Sequence, residues 1–206
     1  MVSRVAEARA SVLKWIGDGM EPGAPVSVKL TAERLEMSHT PVREALERLV
    51  GEGVLASTPD RSGFAIPRLS VRDVAGLHIL FGTLLQGLAE QGSEVVRHEW
   101  LPDPTTPGLA VRQAVEGVCR GGRTGMTAAM LATTELRLAS HRRVEPSILP
   151  KWGVDLVRLH EDLPVGGTKA RRAIQAFTRM RVEAAEEIVA AVEDLHAGGS
   201  SSMRRI

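Results

Sequence analysis

Ser38, Thr40 and Arg43 cluster at the opening of a run whose apolar positions, Val42, Ala45, Leu46, Leu49 and Val50, share one helical face. Pro41 suits a first helical position and Thr40 the cap before it. The spacing therefore predicts a helix opening at Pro41 and running to about Glu52, stopped by Gly51 and Gly53. A helix start offers free N–H groups and a partial positive charge to phosphate. An arginine beside it can pair with O6 and N7 of a guanine, worth about 1–3 kcal/mol of base discrimination. Two hydroxyls and a guanidinium on the side not used by the core are thus a candidate reader of duplex DNA; the plainer alternative for Arg43 is a solvated surface arginine. Glu44 and Glu47 read as charge partners on the exposed face.

Other chemistry is thinly represented. The single cysteine, Cys119, excludes an internal disulfide framework and a cysteine-cluster zinc site, and it reads as packed on an apolar helix. His141 and Glu145 are four apart and could share a helix face, but Pro146 follows at once. His78, His98, His160 and His196 show no ligand spacing. No glycine-rich phosphate loop, nucleophile elbow or paired-carboxylate signature stands out, and Trp15, Trp100 and Trp152 are dispersed. The sequence therefore predicts no enzyme, no cofactor and no metal.

The elements that must hold the candidate reader can be traced along the chain. Residues 3–19 have a helical period, residues 21–25 (Glu-Pro-Gly-Ala-Pro) make a turn, and Ser27 caps a short helix through about Leu35. After the third helix come two short strand candidates, Val54–Ser57 and Phe64–Pro67. Three helices followed by a two-stranded hairpin predict a winged helix-turn-helix. From Val71 the pattern is helical, with helices expected near 71–96, 107–120, 125–143, 148–162 and 168–196. Short loops between amphipathic helices imply an antiparallel bundle. The fold class expected is mainly α: an N-terminal winged helix-turn-helix over 1–70, an all-α antiparallel bundle over 71–196, and a disordered Gly/Ser tail over 197–206.

Composition sets broad limits. A chain of 206 residues with 43% hydrophobic and 25% charged residues can bury a core, which argues against wholesale disorder. The first residues lack an apolar signal-peptide core and no apolar run reaches membrane-spanning length, so a cytoplasmic address and no membrane partner are expected. Net charge is +1, and residues 1–70 carry nine cations against nine acids. Any attraction to DNA must therefore come from local arrangement. Six aromatic residues in the whole chain argue against a platform of stacked rings.

The stretch Leu35–Leu49, followed by Glu52-Gly53-Val54-Leu55, resembles the GntR family of bacterial transcription regulators. Eight of the nine residues of that family's usual core, Ser-Arg-Thr-Pro-Val-Arg-Glu-Ala-Leu, are present in Ser38–Leu46. The likeness covers about residues 5–70. It implies DNA contacts from Lys29, Ser38, His39, Thr40 and Arg43, and from Arg61 and Gly63 in the wing. For Arg61 the alternative is an ordinary charged turn residue. His39 stands where the family usually has arginine, leaving a choice between a phosphate contact that depends on protonation and a bystander. Glu36 stands where many relatives place glycine, so either it is strained or the turn differs.

The remainder, about 71–196, resembles the helical FadR-type effector and dimerisation domain, FCD. Many such domains hold a divalent metal with one Asp and three His. The matching positions here are Thr133, Arg137, Arg171 and Val192, so the resemblance implies a lost metal site, because guanidinium offers no lone pair. Arg137 and Arg171 could instead hold a small organic acid effector, or simply reach solvent and local acids. The combined expectation is a homodimeric regulator, a repressor, on an inverted-repeat operator of double-stranded DNA. The alternatives are a ligand-free DNA-binding dimer and a small-molecule-processing enzyme using the bundle cavity.

Overall fold

The computed structural model describes residues 3–18, 20–58, 63–91, 100–121 and 125–198. Contacts divide the chain into two units, Met1–Leu69 with Glu193–Ile206, and Ser70–Val192.

In the first unit, α1 (Arg4–Gly17) begins at Ser3, whose hydroxyl accepts from Ala6 N at 3.1 Å. α2 (Val28–Leu35) begins at Ser27 in the same manner, with Leu30 N donating at 3.4 Å. α3 spans His39–Gly51 with Ser38 at the N-cap position. The helix thus opens two residues before Pro41, the start expected from sequence. Proline is tolerated there because the first N–H groups of a helix have no intrahelical acceptor. The αL turn between α2 and α3 is made by Glu36, at φ 52° and ψ 44°. It is the one non-glycine residue with positive φ among those described.

The apolar faces of these helices, including Ala8, Val12, Ile16, Ala32, Val42, Ala45, Leu46 and Leu49, close a core with Val26, Val54, Leu55, Phe64 and Ile66. Three short strands cover it: β1 (Pro25–Val26), β2 (Ala56–Ser57) and β3 (Phe64–Ala65), antiparallel in the order β1-β3-β2. The two-stranded hairpin expected for the wing is β2 with β3, and β1 joins it as a third strand on the other side of β3. β1 escapes a sequence reading because two residues, one of them proline, show no alternation; an edge strand tolerates proline since it need not donate on both sides.

The second unit is helical. α4 (Val71–Glu90) carries a capping box, Ser70 with Asp73, in which Ser70 N donates to Asp73 at 3.0 Å and Asp73 N to Ser70 at 3.2 Å. The Ser70 hydroxyl, which donates to the Asp73 carboxylate at 2.6 Å, and Ser70 N hold that carboxyl below its ordinary value. Then follow α5 (Pro107–Gly121), α6 (Gly125–Arg142), α7 (Glu145–Ile148), α8 (Trp152–Asp162), a 3-10 turn at Leu163–Val165, α9 (Gly167–Glu183) and α10 (Ala185–Gly198), whose residues from Glu193 onward count with the first unit. The core joins α4, α5, α6, α8 and α9 through Phe81, Leu85, Val111, Val118, Leu131, Leu156, Leu159, Ile174 and Phe177, among others.

The helix expected over 168–196 is interrupted at Ala184 (φ −90°, ψ 8°). The one expected over 148–162 opens at Trp152, and the separate four-residue α7 ends at Ile148. α10 continues through Gly198, into the segment expected as tail. The rest of that tail, 199–206, and the stretch 92–99 lie outside the described residues. No helix among those described is long and apolar enough to cross a membrane.

Candidate nucleic-acid interface

Two contacts fix α3 from behind, and a third ties α2 to α1. Four of its apolar side chains are fully buried. Arg9 of α1 grips Glu52, at the C-cap of α3, with two parallel bonds of 3.0 and 2.6 Å. Arg34 of α2 lays its guanidinium over the Trp15 ring of α1, 4.3 Å from the centroid. With its back held in this way, α3 presents Ser38, His39, Thr40, Arg43, Glu44 and Glu47 to solvent.

An open concavity of about 690 Å³ lies in front. Its lining includes Lys29 from the first turn of α2, His39 and Arg43 from α3, and Thr58 and Gly63 from the wing, beside Ser27. His39 and Arg43 are four apart and so share one face of the helix. Thr58 and Gly63 close the wing hairpin on each other: Thr58 N donates to Gly63 O at 3.0 Å and Gly63 N to the Thr58 hydroxyl at 2.9 Å. Four residues singled out in the sequence, Lys29, His39, Arg43 and Gly63, are thereby gathered in one place from three separate elements. Ser38 and Thr40 sit at the exposed start of α3, outside the lining. The Ser38 hydroxyl makes no capping bond, which leaves the oxygen available. Arg61 lies outside the described residues.

Charge on this face is sorted by local pairing. Glu44 is held by Arg48, one turn further along, at 2.5 Å, and Glu33 lies 4.0 Å from Lys29. Among the described residues, Arg43 has no such partner and keeps its donors free. Ser27 and Thr58 are lining residues that the sequence reading missed. The only signal for Thr58 was its place immediately after a strand candidate, opposite Gly63 across the hairpin.

The helical unit treats its expected residues differently. Arg137 stands near Asp73 at the start of α4 and contributes to lowering that carboxyl. Arg171 is exposed and pairs with Glu90, at the other end of α4, at 3.8 Å. Seventeen residues of helix separate Asp73 from Glu90, about 25 Å at 1.5 Å per residue. No small acid can bridge both arginines, so the structure does not bring this pair together. Thr133 is half-buried and Val192 buried.

The interior holds a different polar group. Arg142, Arg181, Glu135, Glu145, His78 and His141 are all buried. Arg142 donates to Glu135 (2.9 Å) and to Glu145 (2.6 Å), and Arg181 donates to Glu145 (3.0 Å). Burial pushes the Glu135 carboxyl up, with Arg142 opposing. Burial also works to lower Arg142, but Glu135 and Glu145 more than reverse it. Arg181 is lowered by burial despite Glu145. His78 is pushed well below its ordinary value, by burial first and then by Arg142 and Arg181, so its ring is neutral. These residues do not fit a divalent cation: both carboxylates are engaged by guanidinium groups that would repel it. Among the described residues no set of three or more His, Cys, Asp or Glu converges in a way that could hold a metal ion.

Residues 5–66 match the family described as bacterial regulatory proteins, gntR family, so the first unit carries a GntR-family helix-turn-helix domain. No curated protein matches the chain. Among solved structures it is similar to E. coli McbR/YncC, with 17% identity and a TM-score of 0.59, covering 95% of this chain and 100% of that one. A structure described as a transcriptional regulator GntR from Rhodococcus sp. RHA1 is similar at 20% identity and a TM-score of 0.51, covering 94% and 99%. At these identities the likeness is one of fold.

Proposed function

We propose that the chain is a DNA-binding transcription regulator that acts as a homodimer on an inverted-repeat operator. The observation that carries this reading is the concavity shared by Lys29, His39, Arg43, Thr58 and Gly63, where the unpaired Arg43, Lys29 and a wing flank the start of an exposed helix. In this reading Arg43 enters the major groove and pairs with a guanine. Lys29, Ser38, His39 and Thr40 engage backbone phosphates, and Gly63, with Arg61, brings the wing toward the minor groove. Specificity rests mainly on one arginine, because histidine replaces the second.

Dimerisation belongs to the helical unit. Support comes from the outer face of α4 and α9, which carries Ile79 (54% exposed) and Leu80 (37% exposed). Ile79 joins Thr83, Gln86, Gln175 and Val182 in lining a concavity of about 670 Å³. A two-fold contact there would present two reading heads to the two halves of a palindromic site.

The test is binding of the full chain to duplex DNA from upstream of its own gene, across a salt series. The expected result is a protected inverted repeat and an affinity that falls steeply as salt rises. Equal, weak binding to that duplex and to a scrambled one would contradict the reading.

A further inference from the structure

We propose that Arg142 and Arg181 form a carboxylate-binding site that the chain fills with its own Glu145, an intramolecular ligand standing where a free small monocarboxylate would sit. The inference concerns the helical unit alone and does not depend on DNA binding.

The geometry is that of a receptor. Glu145 is completely buried, and its two oxygens are divided between two guanidinium groups. Oε1 accepts from Arg142 at 2.6 Å and Oε2 from Arg181 at 3.0 Å. Both cations are held before any ligand arrives. Arg181 lies flat on the Phe177 ring, 3.5 Å from its centroid, and donates to Phe177 O at 3.1 Å. Arg142 sits between Phe81 and Phe177, at 5.2 and 5.5 Å, and is braced on its far side by Glu135. Aromatic faces orient a guanidinium with its N–H edge outward and keep water off its plane. His78 adds an unpartnered Nε2, buried and 4.0 Å from the Glu145 carboxylate.

The ligand comes from a separate element. Glu145 opens the four-residue helix α7, whereas the receptor groups belong to α4, α6 and α9. Among the groups bonded directly to one another, Arg142 and Arg181 carry two positive charges and Glu135 one negative, so without Glu145 this set is short of one anion, Asp155 acting on Arg181 only through space. A buried cation stripped of its partner is strongly unfavourable. The vacancy left by removing the carboxylate therefore selects a small anion with two acceptor oxygens in a plane, the shape of formate or acetate. In the intact chain a free carboxylate reaches the two arginines only by displacing Glu145.

The test uses full-length Glu145→Ala, with formate against chloride at equal ionic strength. The expected melting temperature is lower than that of the native chain by about 10 °C. Formate at 100 mM is expected to return about 3–5 °C of that, saturably, while chloride returns nothing and the native chain does not respond. If the variant is unfolded in chloride, the readout becomes the folded fraction by circular dichroism, and recovery in formate alone carries the same meaning. Glu145→Gln, which fills the space with a neutral group, is expected to show no recovery. Equal responses to formate and chloride, or a formate response in the native chain and Glu145→Gln as large as in Glu145→Ala, would overturn the proposal.

Discussion

Gly82 of α4 faces Thr178 of α9 so closely that a Cβ at position 82 would fall inside contact distance of the Thr178 hydroxyl, and 3.3 Å from its Cβ and Cγ2. The two helices meet there because position 82 has no side chain.

Gly82→Ala gains helix propensity but forces α4 and α9 apart. Overpacking of this kind costs about 1–3 kcal/mol, against about 1 kcal/mol gained from replacing glycine within a helix. Net destabilisation of up to about 2 kcal/mol is expected in urea unfolding. Adding Thr178→Ala should recover most of it. Additive losses in the double variant would show that the contact is not the cause.

Glu36 occupies αL without being glycine, which costs roughly 1–2 kcal/mol. Glycine relieves that strain but loosens the unfolded chain by about 0.4–1 kcal/mol. Glu36→Gly should therefore stabilise the first unit by up to about 1 kcal/mol. Thermal unfolding checks this, and a clear loss of stability would mean that the Glu36 side chain contributes more than its conformation costs.

His78 is neutral in the folded chain, whereas in the unfolded chain it takes up a proton near the ordinary imidazole value of 6.5. Below that pH the unfolded state binds more protons, so the stability linked to neutral His78 is complete above about pH 6.5 and is lost as pH falls. The slope is at most about 1.4 kcal/mol per pH unit. Stability of the native chain minus that of His78→Gln should drop by about 1 kcal/mol between pH 7.5 and 5.5. Subtraction removes the opposite contribution of Glu135, whose raised carboxyl favours the folded state at low pH. A difference that stays flat with pH would contradict the assignment.

Ile79 is 54% exposed on the face proposed for the dimer. Ile79→Glu places a charge there and should shift the chain from dimer toward monomer at micromolar concentration, with unchanged helical content. Sedimentation velocity reads the shift, and an unaltered dimer would move the interface elsewhere.

Local signals and long-range pairings were unequally visible in the sequence. The apolar stripe from Val42 to Val50 marks α3, and Ser27 marks the start of α2, because a capping hydroxyl acts within three residues. Pro41 points to the right helix but the wrong first residue, since its missing N–H is harmless anywhere in the opening turn. The break at Ala184 has no sequence signature, alanine being the strongest helix former. The interior cluster was hidden for a different reason: Arg142, Glu145 and Arg181 carry charges that usually face water, and Arg181 lies 36 residues from its partner. The spacing of His141 and Glu145, broken at Pro146, does not point to the arginines that hold Glu145, which are found only in three dimensions. For Arg137 and Arg171 a shared chemistry suggested a shared pocket, and α4 holds them apart.

The most direct test of DNA reading is the affinity of Arg43→Ala for the duplex protected by the native chain, measured at fixed salt beside its thermal unfolding. Loss of a guanine contact is expected to weaken binding roughly 10- to 100-fold, with relaxed discrimination at one base pair per half-site and melting unchanged to within about a degree. Native affinity in a folded Arg43→Ala chain would contradict the assignment of this helix as the reader.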